Sequence, residues 1–213
     1  HLSNDSNLLK AFNNNIDVHS FTASEIFNID LNEVSSENRR AAKAINFGLI
    51  YGMSSFGLSK QLGISIPDAK DYMDIYFKRY PEIKSYMTAT KEFAKANGYV
   101  ETIYGRQLFL PEINSKHAQR RKYAERTAIN APVQGSAADI IKIAMIEIDK
   151  WLAQNHSKTK MIMQVHDELV FEISENDIDS EVSNIINIMQ DCVKLKLPLE
   201  VNYGIDDNWG DAH

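Results

Sequence analysis

Helix-spaced apolar positions dominate this chain, and strand-like apolar runs are confined to a few short regions. Residues 1–30 read as short helical pieces, with Asp17-Val18-His19-Ser20 as a turn into a helical segment at 21–27. Ser35 or Ser36 can N-cap the next helix, Glu37 in its first turn suits the helix dipole, and Gly52 ends it. Residues 54–62 form a short helix closed by Gly63. Pro67 opens a helix to Tyr80, and Pro81 opens another to Asn97-Gly98. Residues 99–103 and 107–110, around Tyr104-Gly105-Arg106, predict a hairpin. A long helical stretch runs from His117 to about Gln154. Pro132 inside it predicts a kink or break, because proline has no backbone N–H to donate. Residues 161–165 and 169–173 predict paired strands, 177–195 a helix, and 199–205 a last strand. No repeat, low-complexity tract or long linker interrupts the series.

At 213 residues the chain can bury a sizeable core as one large or two small domains. Its 44% hydrophobic and 24% charged content are those of a soluble globular protein. No apolar run is long enough to span a membrane and no signal peptide opens the chain, so no membrane partner is expected. The single Cys192 excludes an internal disulfide, and among Ile188, Met189 and Val193 it reads as packing in a reducing compartment.

A net charge of −6 argues against a simple DNA-coating protein, but the charge is uneven. Lys116, Arg120, Arg121, Lys122 and Arg126 form one basic block, and Arg39, Arg40 and Lys43 another. Acidic residues are densest around Glu175, Asp177, Asp179 and Glu181.

Arg39, Lys43, Phe47 and Tyr51 recur four residues apart and share one helix face. Two cations one turn apart suit a polyphosphate, Arg as a bidentate fork and Lys as a point charge. The rings that follow can pack on a base or sugar, so the face reads as a site for a nucleoside triphosphate. A buried amphipathic helix with snorkelling cations is the other reading of the same four residues. Asp167 and Glu168 sit between two apolar strand runs, where a tight turn presents both carboxylates at a sheet edge. Hard carboxylate oxygens suit Mg²⁺, and a plain polar hairpin turn is the alternative. Arg126, Asn130 and Gln134 also recur at four-residue spacing. They suit the uniform acceptors of a DNA minor groove, or else form an ordinary polar helix face.

The run Arg39-Arg40-Ala41-Ala42-Lys43-Ala44-Ile45-Asn46-Phe47-Gly48-Leu49-Ile50-Tyr51-Gly52 resembles the nucleotide-binding fingers helix of family A DNA polymerases. A second family motif, Gln164-Val165-His166-Asp167-Glu168-Leu169-Val170-Phe171-Glu172, follows in matching order and separation. The segment Arg126-Thr127-Ala128-Ile129-Asn130-Ala131-Pro132-Val133-Gln134-Gly135 resembles the family stretch that contacts primer and template in the minor groove. Similarity runs from His1 to Asn208-Trp209-Gly210-Asp211-Ala212-His213.

The resemblance implies an α+β fold, a helix-rich fingers subdomain with part of an antiparallel-sheet palm. Residues 1–25 would be a palm remnant leading into the fingers, 26–125 the fingers and 126–213 the palm, with the thumb absent. It further implies a DNA-directed DNA polymerase that transfers nucleotides from dNTPs to a primer 3′-hydroxyl in replication and repair. Arg39 and Lys43 would bind the triphosphate, with Lys43 protonating departing pyrophosphate. Phe47 would pack on the nucleotide, Tyr51 would guard the templating base, and His19 would lie near the triphosphate. Asp167 would hold Mg²⁺, one of two ions in the complete enzyme, with Glu168 as a secondary carboxylate. His166, which on its chemistry alone could ligate a transition metal, would instead join Arg126, Asn130 and Gln134 as a DNA contact near the primer end. The expected partners are primer–template DNA and dNTPs, in a monomeric parent in the bacterial cytoplasm, associated with the nucleoid.

The chain opens at His1 in mid-pattern and reads as a cut piece. The family's other catalytic Asp would lie on a strand just before it, so the piece alone is expected to be inactive. A non-catalytic DNA-binding module is the rival reading.

Overall fold

The computed structural model describes residues 1–212, so the closing His213 lies outside the described residues. Among the described residues the chain is helix-rich with two small antiparallel sheets, the α+β class expected. It divides into two compact units, His1–Gln134 and Gly135–His213.

In the first unit, six helices precede a hairpin: α1 (Ser6–Asn13), α2 (Val18–Phe27), α3 (Ser36–Ile50), α4 (Ser55–Leu62), α5 (Ile66–Arg79) and α6 (Pro81–Asn97). Their ends follow local chemistry. Asp5, Asp17, Ser35, Ser54 and Ser65 each accept backbone N–H groups as N-caps of α1 to α5. At α3 the cap is reciprocal, Ser35 with Asn38, which fixes where the Arg39 turn begins. Gly63 and Gly98 close α4 and α6 in left-handed geometry, where a side chain would be strained.

Ile26, Ile45, Leu49, Leu58, Tyr76, Tyr80 and Ile83 form the core that α2 to α6 share. Burial of each large apolar side chain there contributes roughly 1.5–3 kcal/mol. Met53 lies between α3 and α4. A Cβ added at Gly57 would stand 2.8 Å from its Cγ, and one added at Gly48 would stand 3.1 Å from its Sδ. A second cluster, Ala94, Val100, Leu110, Ile113, Ala124 and Ala128, seats the hairpin β1 (Tyr99–Glu101) and β2 (Gln107–Phe109).

The helix α7 (Ala118–Gln154) begins in the first unit and ends in the second. Pro132 does not break it, contrary to one expected outcome. Proline removes only the one bond that its N–H would donate to the carbonyl four residues earlier, and the remaining turns of so long a helix hold.

The second unit packs Ile148 and Leu152 of α7 and Ile185 of α8 (Ile178–Asp191) against β3 (Lys160–Val165) and β4 (Glu168–Glu172), through Met161, Leu169 and Phe171. β3 and β4 are antiparallel, with Val165 opposite Glu168, so His166 and Asp167 alone form the loop. α9 (Trp209–Ala212) closes the described chain.

Gly52 ends α3 as expected, following the cap residue Tyr51 in left-handed geometry. Three element expectations change. Asp17-Val18-His19-Ser20 is not a turn ahead of a helix, because Asp17 caps α2 and Val18 already lies in it. The helix expected at 177–195 stops at Asp191 and is preceded by a single 3₁₀ turn, Glu175–Asp177. Residues 199–205 are not a strand, since the only sheet in this unit among the described residues is the β3–β4 pair. An extended run becomes a strand only where a neighbour takes its backbone hydrogen bonds. Here the run passes α9 so closely that a side chain on Gly204 would overlap the Ala212 carbonyl.

Candidate functional site

On α3, Arg39, Lys43 and Phe47 are exposed on one side, while Ala42, Ile45, Asn46, Gly48 and Leu49 are buried on the other. The four-residue spacing thus becomes a solvent-facing line, which Tyr51 continues. Tyr51 donates its backbone N–H to the Phe47 carbonyl at 3.0 Å. Phe47 is 45% exposed and Tyr51 38%, so the face is not a buried stripe with snorkelling cations. The two rings stack at 6.2 Å with planes 23° apart, and the His19 ring lies 5.7 Å from Phe47.

A buried hydrogen-bond chain fixes His19. Asn46 Nδ2 lies 2.9 Å from His19 Nδ1, Thr22 Oγ1 donates to Asn46 Oδ1 at 3.2 Å, and Thr22 also bonds the Tyr80 hydroxyl at 3.2 Å. Burial pushes His19 below its ordinary value, and the Arg39 and Lys43 charges push the same way against the opposing pull of Asp17. The ring is therefore kept neutral beside two cations. Arg39 is held as well. Its Nε and Nη2 donate to the Asp17 carboxylate at 2.7 and 3.0 Å. That bond, opposed by burial and reinforced by the Ser20 cap bonds, holds the Asp17 carboxyl far below the usual carboxylate range.

Arg126, Asn130 and Gln134 lie on α7 within the same unit. Arg126 is exposed, with its guanidinium 5.6 Å from the Tyr123 ring. Its stem also meets the end of α3, since a Cβ added at Gly52 would touch Arg126 Cγ and Ile129 at 3.6 Å each. Gly52 has φ +74°, a geometry that favours glycine, so close approach and backbone both fix the residue type. Gln134 is exposed, and Asn130 is half-buried with its Oδ1 buried and unpartnered. The basic block before them is partly engaged, Arg120 with Glu112 at 3.5 Å and Arg121 with the Ser115 carbonyl at 2.8 Å.

In the second unit, His166 takes φ +52° as the first of the two loop residues, and Asp167 follows with no such reversal. That sign pattern is the one a II′ hairpin turn requires. Gln164 Nε2 donates to the His166 carbonyl at 2.6 Å and braces the turn. Asp167 is exposed and Glu168, half-buried, opens β4 and accepts the Trp209 indole N–H at 2.9 Å. Among the described residues no three His, Cys, Asp or Glu side chains gather as a metal site. Two adjacent carboxylates do fit Mg²⁺ of the kind that keeps its waters and leans on substrate phosphates.

Reasoning from sequence missed three residues of this arrangement. The sequence suggests Asp17 only as part of a turn, although Asp is a preferred N-cap residue. Asn46, a polar residue on the buried side of an amphipathic helix, was a visible anomaly. Trp209 gave no signal.

A family model described as DNA polymerase family A matches residues 1–211. The chain is 50% identical over 213 residues to DNA polymerase I of Pseudomonas aeruginosa and 46% identical to that of Streptococcus pneumoniae. All of this chain is covered in both, against 23% and 24% of those proteins, so it spans about a quarter of their length. Among solved structures, the POL domain of Pol1 from M. smegmatis, in complex with DNA primer-template and dNTP, matches with TM-score 0.95 and 43% identity. That match covers 100% of this chain and 37% of the other. No described helix is long and apolar enough to cross a membrane.

Proposed function

The chain belongs to DNA polymerase family A, and from that premise we propose that it carries the nucleotide face and part of the metal site of a DNA-directed DNA polymerase. The observation that carries the reading is the exposed line Arg39, Lys43, Phe47 and Tyr51 on α3. Residues 1–25 and 126–213 belong to the palm and 26–125 to the fingers of one polymerase domain. The substrate is a dNTP, the partner primer–template DNA, and the setting the bacterial cytoplasm at the nucleoid, with the full-length protein a monomer.

Arg39 and Lys43 grip the triphosphate, and Lys43 donates a proton to the leaving pyrophosphate as negative charge builds there. Phe47 packs on the nucleotide, backed by the neutral His19 ring, and Tyr51 stands where the templating base arrives. Arg126 and Gln134 present donors to minor-groove acceptors, and Asn130 and His166 meet the DNA near the primer terminus. Asp167 and Glu168 would hold Mg²⁺, which supplies Lewis-acid stabilisation of the phosphoryl transfer when bound.

The test is primer extension by the full-length protein carrying this sequence, with Mg²⁺ and four dNTPs, against Asp167→Asn. The wild type should extend and the variant should lose activity by several orders of magnitude while still binding primer–template. DNA binding with no extension by the wild type would establish a non-catalytic binding module instead.

A further inference from the structure

Resting on the reading of α3 as the nucleotide face, we propose that Asp17 is a positioning residue for Arg39. It grips one edge of the guanidinium and leaves the other edge open to the phosphates of the incoming nucleotide. The contact is side-on, Nε to Oδ2 at 2.7 Å and Nη2 to Oδ1 at 3.0 Å. A guanidinium carries five N–H donors in a rigid plane, so this pairing leaves the two on Nη1 and one on Nη2. One from each of these nitrogens lies along the end-on edge, the pair that matches two phosphate oxygens. Arg39 keeps 48% of its side chain exposed in this pairing, so the open edge is reachable.

Asp17 is itself tethered by more than its ion pair. Its Oδ2 accepts the Ser20 backbone N–H at 3.0 Å and also the Ser20 hydroxyl, as the N-cap of α2. The first turn of α2 is tied in turn to α3 through His19 and Asn46. Arg39 is thus referenced to a helix end rather than to a flexible partner. Holding a long side chain in its bound rotamer before the ligand arrives removes ordering entropy from the binding step. A freely competing carboxylate would act oppositely, because the nucleotide would have to displace it.

The experiment uses the full-length protein carrying this sequence and single-nucleotide incorporation under single-turnover conditions, which separates nucleotide Kd from the maximal rate. Asp17→Asn keeps a capping oxygen for Ser20 and removes the charge and one acceptor. It should raise nucleotide Kd about three- to tenfold, with a smaller change in maximal rate and unaltered primer–template affinity. In an Arg39→Ala background the same substitution should add nothing, because Asp17 acts through Arg39. Unchanged or tighter nucleotide binding in Asp17→Asn, or an additive effect in the double variant, would overturn the proposal. Asp17→Ser, which also keeps a capping oxygen, gives the same decision should the Asn variant misfold. If Arg39→Ala alone left nucleotide Kd unchanged, the nucleotide reading of α3 would fall and the proposal with it. A weakened Arg39→Ala beside an unaffected Asp17→Asn sinks the proposal alone.

Discussion

The Trp209 indole N–H donates to Glu168 Oε1 at 2.9 Å, joining the first residue of α9 to the first residue of β4. The bond sets the carboxylate that stands beside Asp167 in the turn. Phe at position 209 keeps the ring and removes the donor. Because Trp209 is exposed and Glu168 only half-buried, Trp209→Phe should change stability by less than about 1 kcal/mol. The apparent Mg²⁺ requirement for primer extension should nonetheless rise, by up to about tenfold, as when a group orienting a metal ligand is lost. An unaltered Mg²⁺ titration would reduce the contact to tail anchoring.

Lys43→Ala removes a cation that stands one turn beyond Arg39 and is exposed on the same line. Both nucleotide affinity and maximal incorporation rate should fall, the rate by about 10²-fold or more if the lysine also protonates pyrophosphate. Affinity for primer–template in the absence of nucleotide should stay within about twofold. Loss of DNA binding with intact nucleotide kinetics would make Lys43 a DNA contact.

His19 and Asp17 predict two separate acid transitions. His19 is held below its ordinary value of about 6.5, chiefly by burial, so the folded chain binds its proton less readily than the unfolded chain. Its contribution to stability is complete above that value and is lost as pH falls from there through the lower folded value. Asp17, also depressed, keeps its contribution until the pH drops below the ordinary carboxylate range, and loses it below that. Denaturant unfolding at a series of pH values should show the first loss flattened in His19→Gln and the second flattened in Asp17→Asn. Saturating nucleotide should raise the His19 titration seen by NMR, since arriving phosphates offset the Arg39 and Lys43 charges. A midpoint that nucleotide fails to move would place the triphosphate away from α2.

His166→Gly tests the strained turn. A non-glycine residue at φ +52° costs roughly 1 kcal/mol, and glycine relieves most of it. The variant should unfold about 0.5–1 kcal/mol later in a denaturant titration while binding a primer terminus more weakly. Greater stability with undiminished primer binding would mean that the imidazole has no role at the primer.

The helix ends were legible because each rests on local chemistry: Ser54, Gly63, Pro81 and Gly98 act within a turn of themselves. The spacing of Arg39, Lys43, Phe47 and Tyr51 was legible for the same reason, since a helix converts it directly into a face. What sequence could not supply were contacts across long separations. Arg39 with Asp17 spans 22 residues, His19 with Asn46 spans 27, and Glu168 with Trp209 spans 41. The misjudged strand at 199–205 failed similarly, because a strand is defined by a partner that no local pattern names. Pro132 failed in the other direction. One missing donor was weighed locally, whereas a helix of 37 residues has cooperativity enough to absorb it.

The fit of Met53 against Gly48 and Gly57 gives α3 a chemical weak point outside its exposed face. A thioether fits there because both neighbours lack a Cβ, and an added carbon at Gly48 would already crowd the sulfur at 3.1 Å. Oxidation to the sulfoxide places a polar oxygen on that same atom, and the Met53 side chain is only half-buried. The lesion would press on α3 one residue from Phe47 while leaving every charge of the face intact. Peroxide should therefore damage nucleotide selection before it damages DNA binding. Methionine sulfoxide reductase should restore it, and Met53→Leu should be resistant, with mass spectrometry of the 53-containing peptide tracking the loss.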